Sequence, residues 1–105
     1  MDGIISHEAV IDIVRREVAS YADARGINAE FYYVENLEQH LYAVIAIPHK
    51  RQSLGIVPLA VRIDGDKIII ERDTNADPLY EVLREQGIPD EQIILAYETD
   101  PSGKD

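Results

Sequence analysis

A chain of 105 residues, 46% of them hydrophobic, has the size and apolar content of one domain around one core, which argues against a two-domain enzyme and against a disordered chain. Twenty Asp and Glu residues against ten Lys and Arg give a formal charge of -10 at pH 7, so the average surface repels phosphates and direct nucleic-acid binding starts at a disadvantage. With no cysteine, disulfides, thiolate chemistry and the common zinc sites are removed together.

Ser6 is placed to cap a helix, with Glu8 in the first turn, where the helix dipole favours an anion, and Gly26 as the C′ residue. Between them Val10, Ile13, Val14, Val18, Tyr21 and Ala22 recur every three or four positions and line one face. The pattern then changes. Phe31, Tyr32, Tyr33 and Val34 form one strand and residues 41–47 a second, and the short polar link of residues 35–40 makes them antiparallel neighbours. Alternation sends Phe31 and Tyr33 to one side of the sheet and Tyr32 to the other, so at least one side is core. A third strand covers residues 55–64, where Pro58 lacks a ladder donor and places an edge or a bulge.

Residues 61–70, VRIDGDKIII, read as a tight hairpin centred on glycine. With Gly65 and Asp66 as the two-residue loop, Asp64 faces Lys67, Ile63 faces Ile68 and Val61 faces Ile70, so opposite charges and like apolar groups meet. A loop of Asp64 and Gly65 would instead set Ile63 against Asp66. After the capping residues Asp73, Thr74 and Asn75, Pro78 opens a helix of about three turns with Leu79, Val82 and Leu83 as its apolar edge and Gly87 as its end. Residues 90–92 form a turn, and residues 93–97 a last strand buried on both faces. Residues 1–98 thus make a single α+β domain of helix, four-stranded antiparallel meander, helix and final strand, with residues 99–105 as a polar tail. No apolar stretch approaches the ~20 residues that span a bilayer, and the N-terminus lacks the regions of a secretory signal. The expectation is a soluble, cytoplasmic protein.

Chemistry has no obvious seat in this pattern. His7, His40 and His49 fall at a helix start and in two loops, none at i, i+4 from another, so no metal is assigned. Asp64, Asp66, Glu71 and Asp73 are the densest acidic group, but their spacing is not that of a calcium loop, and hairpin and turn roles account for them. The serines lack a nucleophile elbow and the glycines are too dispersed to cradle a phosphate. No catalytic residue and no cofactor is assigned. His49, Lys50 and Arg51 are one small basic spot. The acidic charge is concentrated late, with twelve Asp and Glu and five Lys and Arg after residue 52 against eight and five before it. On the second helix Asp77, Glu81 and Glu85 recur at i, i+4. A like-charge row slightly destabilises an isolated helix, and with Asp73 just ahead of it this is the candidate partner-binding group.

The run Ile63-Asp64-Gly65-Asp66-Lys67-Ile68-Ile69-Ile70, then Asp73-Thr74, then Gly87-Ile88-Pro89-Asp90-Glu91-Gln92-Ile93-Ile94-Leu95-Ala96-Tyr97 resembles the XisI-like family. These are excision controlling factors, first named for a DNA element removed during cyanobacterial heterocyst development. In that family a strand-turn-strand carries a D-G-K-I-W-I type motif, a D-x-T follows, and a helix leads to G-I-P-x-x-D-I-V-L-A-F. Ile69 stands where the family usually has tryptophan, and Gln92 where it has the aspartate of D-I-V-L. The resemblance implies a non-enzymatic accessory role in DNA recombination, with a separate recombinase and an XisH-like, nuclease-fold partner that the protein would bind and restrain, as an antitoxin restrains its toxin. It carries over no catalytic residue.

Three readings compete. The first is a regulatory protein that binds an XisH-like partner, with no direct nucleic-acid contact and with a second copy of the chain as a further candidate partner. The second is a small enzyme using Asp64, Asp66, Asp73 or a histidine in a cleft between helix and sheet, which requires those groups to converge. The third is direct DNA binding through Lys50, Arg51 and Arg62. The first agrees best with the charge and the motifs.

Overall fold

The computed structural model of the chain describes residues 4–23, 29–50 and 55–98. Helix α1 runs His7–Tyr21 and starts as expected, with the Ser6 hydroxyl accepting from the Ala9 N–H at 3.3 Å and Glu8 in the first turn. It ends at Tyr21, where the N–H of Ala22 bonds the carbonyl of Ala19 at 3.0 Å. That is short of the glycine stop expected at Gly26, which lies outside the described residues. Val10, Val14 and Val18, four apart, are completely buried, and Ile13 and Tyr21 flank them half-buried. This is the predicted stripe.

Strands β1 (Ala29–Asn36), β2 (Leu41–Pro48), β3 (Ile56–Asp64) and β4 (Lys67–Asp73) form an antiparallel meander, and β5 (Ile93–Leu95) adds to it parallel to β4, giving the order β1-β2-β3-β4-β5. With helix α2 (Leu79–Glu85) between β4 and β5, the domain is α+β in the expected order of elements. The β3–β4 hairpin takes the charge-matched register, Asp64 opposite Lys67, Ile63 opposite Ile68 and Val61 opposite Ile70. Gly65 has φ +64°, a left-handed conformation at the first loop position that a two-residue hairpin of this kind needs from glycine. The pairing of β2 with β3 shifts between Val44↔Leu59 and Ala46↔Ile56, so the irregularity expected at Pro58 is a bulge. It is not an edge, because β3 lies between β2 and β4.

Two expectations need correction. Helix α2 has seven residues, about two turns rather than three. Pro78 sits at its N-cap with an extended ψ of 144°, so the proline precedes the first turn instead of occupying it. At the other end Gly87 has φ +97°, its N–H bonds the Arg84 carbonyl at 3.0 Å, and Ile88 bonds the Leu83 carbonyl at 3.1 Å. This Schellman closure buries Ile88 against the core and stops the helix. The pattern predicts a last strand buried on both faces over residues 93–97, yet β5 has three residues and then turns into a 3-10 segment at Ala96–Glu98. As an edge strand it buries Ile93 and Leu95 partly on the inner side and leaves Ile94 37% exposed on the outer.

The inner face of the sheet carries Tyr42, Val44, Leu59, Val61, Ile68 and Ile70, and both helices cover it, α2 contributing Leu79 and Leu83. Phe31 and Tyr33 join this side half-buried while Tyr32 is exposed, as alternation required. Tyr42 is wholly buried and its hydroxyl has no hydrogen-bond partner among the described residues. An unmet buried hydroxyl costs about 1–3 kcal/mol. Tyr42→Phe is therefore expected to be neutral or to stabilise the fold by up to about 1 kcal/mol. A urea melt checks this, and a clear loss of stability would mean that the hydroxyl is satisfied.

Candidate functional site

The acidic group that the sequence clusters is divided by the fold. Asp64 and Asp66 sit at one end of β4, in the hairpin, and Asp73 closes the other end, a strand length of about 20 Å away. The Asp73 carboxylate is occupied, one oxygen accepting from the backbone N–H of Asn75 at 3.0 Å and the other from that of Leu79 at 2.6 Å. It holds the entry to α2 in place of a side-chain cap from Pro78, which proline cannot supply. Glu71 pairs with Arg62 at 2.7 Å. Asp73 therefore does not converge with Asp64 and Asp66.

The fold does bring together two histidines that are distant in sequence. His7 at the start of α1 and His40 at the end of the β1–β2 loop meet edge to face, ring centres 5.5 Å apart, with the His7 Nδ1 against the Gly65 carbonyl. His40 adopts φ 55° and its buried Nδ1 has no partner among the described residues. No linear spacing announces this pair, since it depends on the two hairpins ending at the same level as the helix N-terminus. His49 is elsewhere, 3.5 Å from Glu30. No group of three or more metal-ligating side chains forms among the described residues.

Arg15 reaches from α1 to Glu35 on β1 with both ends of its guanidinium, at 3.0 and 3.1 Å, and the Tyr33 hydroxyl donates to the same carboxylate at 2.6 Å. The Tyr33 hydrogen bond, aided by Arg15, holds the Glu35 carboxyl below the usual carboxylate range. Burial and then Asp73, Asp77 and Glu17 push the Tyr21 phenol up to about 12. Both shifts run away from neutrality, the wrong direction for a general acid or base. These contacts fasten helix to sheet. Tyr21 also lines a cleft of about 320 Å³ with Glu17, Phe31, Pro58 and Asp77, and its hydroxyl is committed to the Asp77 carbonyl at 2.7 Å.

Of the candidate partner-binding residues, Asp77 lies before the cap and not on α2 itself, so the expected helical row reduces to Glu81 and Glu85. Both are exposed, and neither side chain has an ion pair or hydrogen bond among the described residues. Arg84 between them turns aside to Asp90 at 3.0 Å. On the basic side Lys50 is exposed, Arg51 lies outside the described residues, and Arg62 is neutralised by Glu71. Glu81 and Glu85 thus leave an exposed acidic strip on α2.

Gln92 carries a role that sequence reading missed. It is completely buried, its Nε2 donates to the carbonyls of Ile5 at 3.0 Å and Asp66 at 2.6 Å, and its Oε1 accepts from the Ile5 N–H at 2.8 Å. The segment before α1, the β3–β4 loop and the entry to β5 are joined through this one amide. In the sequence it stands out only as a polar residue just before an apolar run and as a departure from the family motif.

The model of a family described as XisI protein matches residues 1–104. Among solved structures, a XisI-like protein from Anabaena variabilis superposes with a TM-score of 0.75 at 18% identity, covering 84% of each chain. The fdxN element excision controlling factor XisI from the same organism gives 0.67 at 15% identity, covering 98% of this chain and 100% of the other. At these identities the likeness speaks for the fold alone. No curated protein matches.

Proposed function

The chain belongs to the XisI family, and from that premise we propose that it is a non-enzymatic accessory factor in the excision of a DNA element, acting by binding an XisH-like, nuclease-fold protein. Support for excision comes from the family and from a structural neighbour named as an excision controlling factor. The observation that carries the binding role is the acidic strip: Glu81 and Glu85 stand exposed and unpaired on a chain of charge -10. A protein that cleaves nucleic acid must present a basic surface to phosphates, and a negative strip is steered toward such a surface and competes for it. Occupying the basic surface is also how the protein would restrain its partner, which makes neutralisation of a nuclease a consequence of the same contact.

Coexpression with an XisH-like protein tests this. The two are expected to leave a sizing column together at micromolar concentration, and any nuclease activity of the partner is expected to fall in the complex. Separate elution under those conditions would overturn the proposal.

A further inference from the structure

We infer that the outer face of the sheet, opposite the helices, is where two copies of the chain pair. No described element packs there. Across this face the register aligns Tyr32 with Ile45, Val34 with Ala43 and Ala60, and Leu41 with Arg62, Ile69 and Ile94. Tyr32 and Ile47 are each 50% exposed, Val34 is 38% exposed and Ile94 37%. The outer face therefore carries an apolar band among its charged residues, more than a wet face needs.

Charge and area favour a second copy as the occupant. Glu30 and Glu71 on this face are matched by Arg62 and Arg72, with Arg62 bonded to Glu71 at 2.7 Å and His49 beside Glu30 at 3.5 Å. The face is formally neutral on a body of charge -10. It is the surface on which another acidic copy meets least repulsion, and a basic partner is drawn instead to the strip on α2. Four strands about 4.8 Å apart and about eight residues long, with the short fifth, span roughly 500 Å² per copy. Two copies then bury about 1,000 Å² or more, the threshold a biological interface has to clear. A two-fold axis along the strands lays β1 of one copy, with Tyr32 and Val34, over β4 and β5 of the other, with Ile69 and Ile94. Sheets stacked face to face in this way pack as the two layers of a sandwich.

Sedimentation of the full chain tests the inference without the XisH-like partner, so its outcome stands apart from the proposed function. The chain is expected to be a dimer at micromolar concentration. Its dimer is expected to tighten as salt rises, because screening relieves the mutual repulsion of two acidic bodies while the apolar contact persists. Val34→Glu with Ile94→Glu places like charges across the interface at exposed positions and is expected to raise the dissociation constant about 100-fold, with the far-UV circular dichroism unchanged. If that variant loses its structure, Tyr32→Ser provides the milder disruption and is expected to weaken the dimer. A monomer at all concentrations, a dimer unaffected by these substitutions, or one that dissociates as salt rises would overturn the inference.

Discussion

Replacing Gln92 by Glu is expected to destabilise the fold by about 3–5 kcal/mol near neutral pH, a large part of the total stability of a domain this size. The amide meets two carbonyl oxygens, of Ile5 and Asp66, with its Nε2 and one N–H, of Ile5, with its Oε1. A carboxylate has nothing to donate. One of its oxygens would face two carbonyl dipoles at hydrogen-bond distance in a place with no solvent access, and both burial and this repulsion disfavour the anion. The folded-state pKa of the new carboxyl is therefore raised above the unfolded value of about 4.3. Between those two values the native state holds more protons than the unfolded one, so stability falls as pH rises through the window. Below it the protonated group donates to one of the two carbonyls and part of the loss is recovered. Urea melts of variant and wild type from pH 4 to pH 8 are expected to diverge with rising pH. Gln92→Ala provides the contrast, removing the same bonds with a loss of about 2–4 kcal/mol that does not follow the titration of a carboxyl. A Glu variant whose deficit is independent of pH would mean that the side chain leaves the site and reaches water.

The Gln92 clamp also marks the boundary of what could be read from the sequence. The α1 cap and stripe, the loop residues of the β3–β4 hairpin and its register, and an interruption of the ladder at Pro58 are determined by neighbours within about one element's length, where turn chemistry and periodicity act. Gln92 bonds to Ile5, 87 residues away, and a polar residue beside an apolar run looks the same whether its partners are water or the opposite end of the chain. The same limit hid the meeting of His7 with His40. The pattern overstates α2 because Pro78 fits either a first turn or the position before it, and the choice is made by Asp73 reaching forward six residues to cap Leu79. The last strand looked doubly buried because Ile93, Ile94 and Leu95 are all apolar. Its outer side lies on the same exposed apolar face as Tyr32 and Val34, which no local pattern distinguishes from a core. For the candidate partner-binding group, spacing placed Asp77 in register with Glu81 and Glu85. The proline between them moved it off the helix.

On the proposed reading, Glu81→Lys combined with Glu85→Lys is expected to reduce the affinity for the XisH-like partner about 10- to 100-fold, chiefly by slowing association. Both side chains are exposed, and neither gives up an internal partner. The structural cost is that of placing a cation in the first turn of α2, where Glu81 now sits favourably against the helix dipole, about 0.3–1 kcal/mol, with a few tenths more for the new like charge three residues from Arg84. A like-charge pair replaces a like-charge pair at i, i+4, so that term is unchanged. Glu81→Gln with Glu85→Gln removes the attraction without adding repulsion and is expected to fall between wild type and the lysine variant. The wild-type complex should weaken as salt rises, and the lysine variant less so, because the charges that salt screens have been reversed. Glu38→Lys, an exposed change in the β1–β2 loop remote from α2, separates a local strip from a diffuse field. If it weakens association as strongly per charge as the changes on α2, net charge alone drives binding. If the partner binds the lysine variant as tightly as the wild type, α2 is not the docking face.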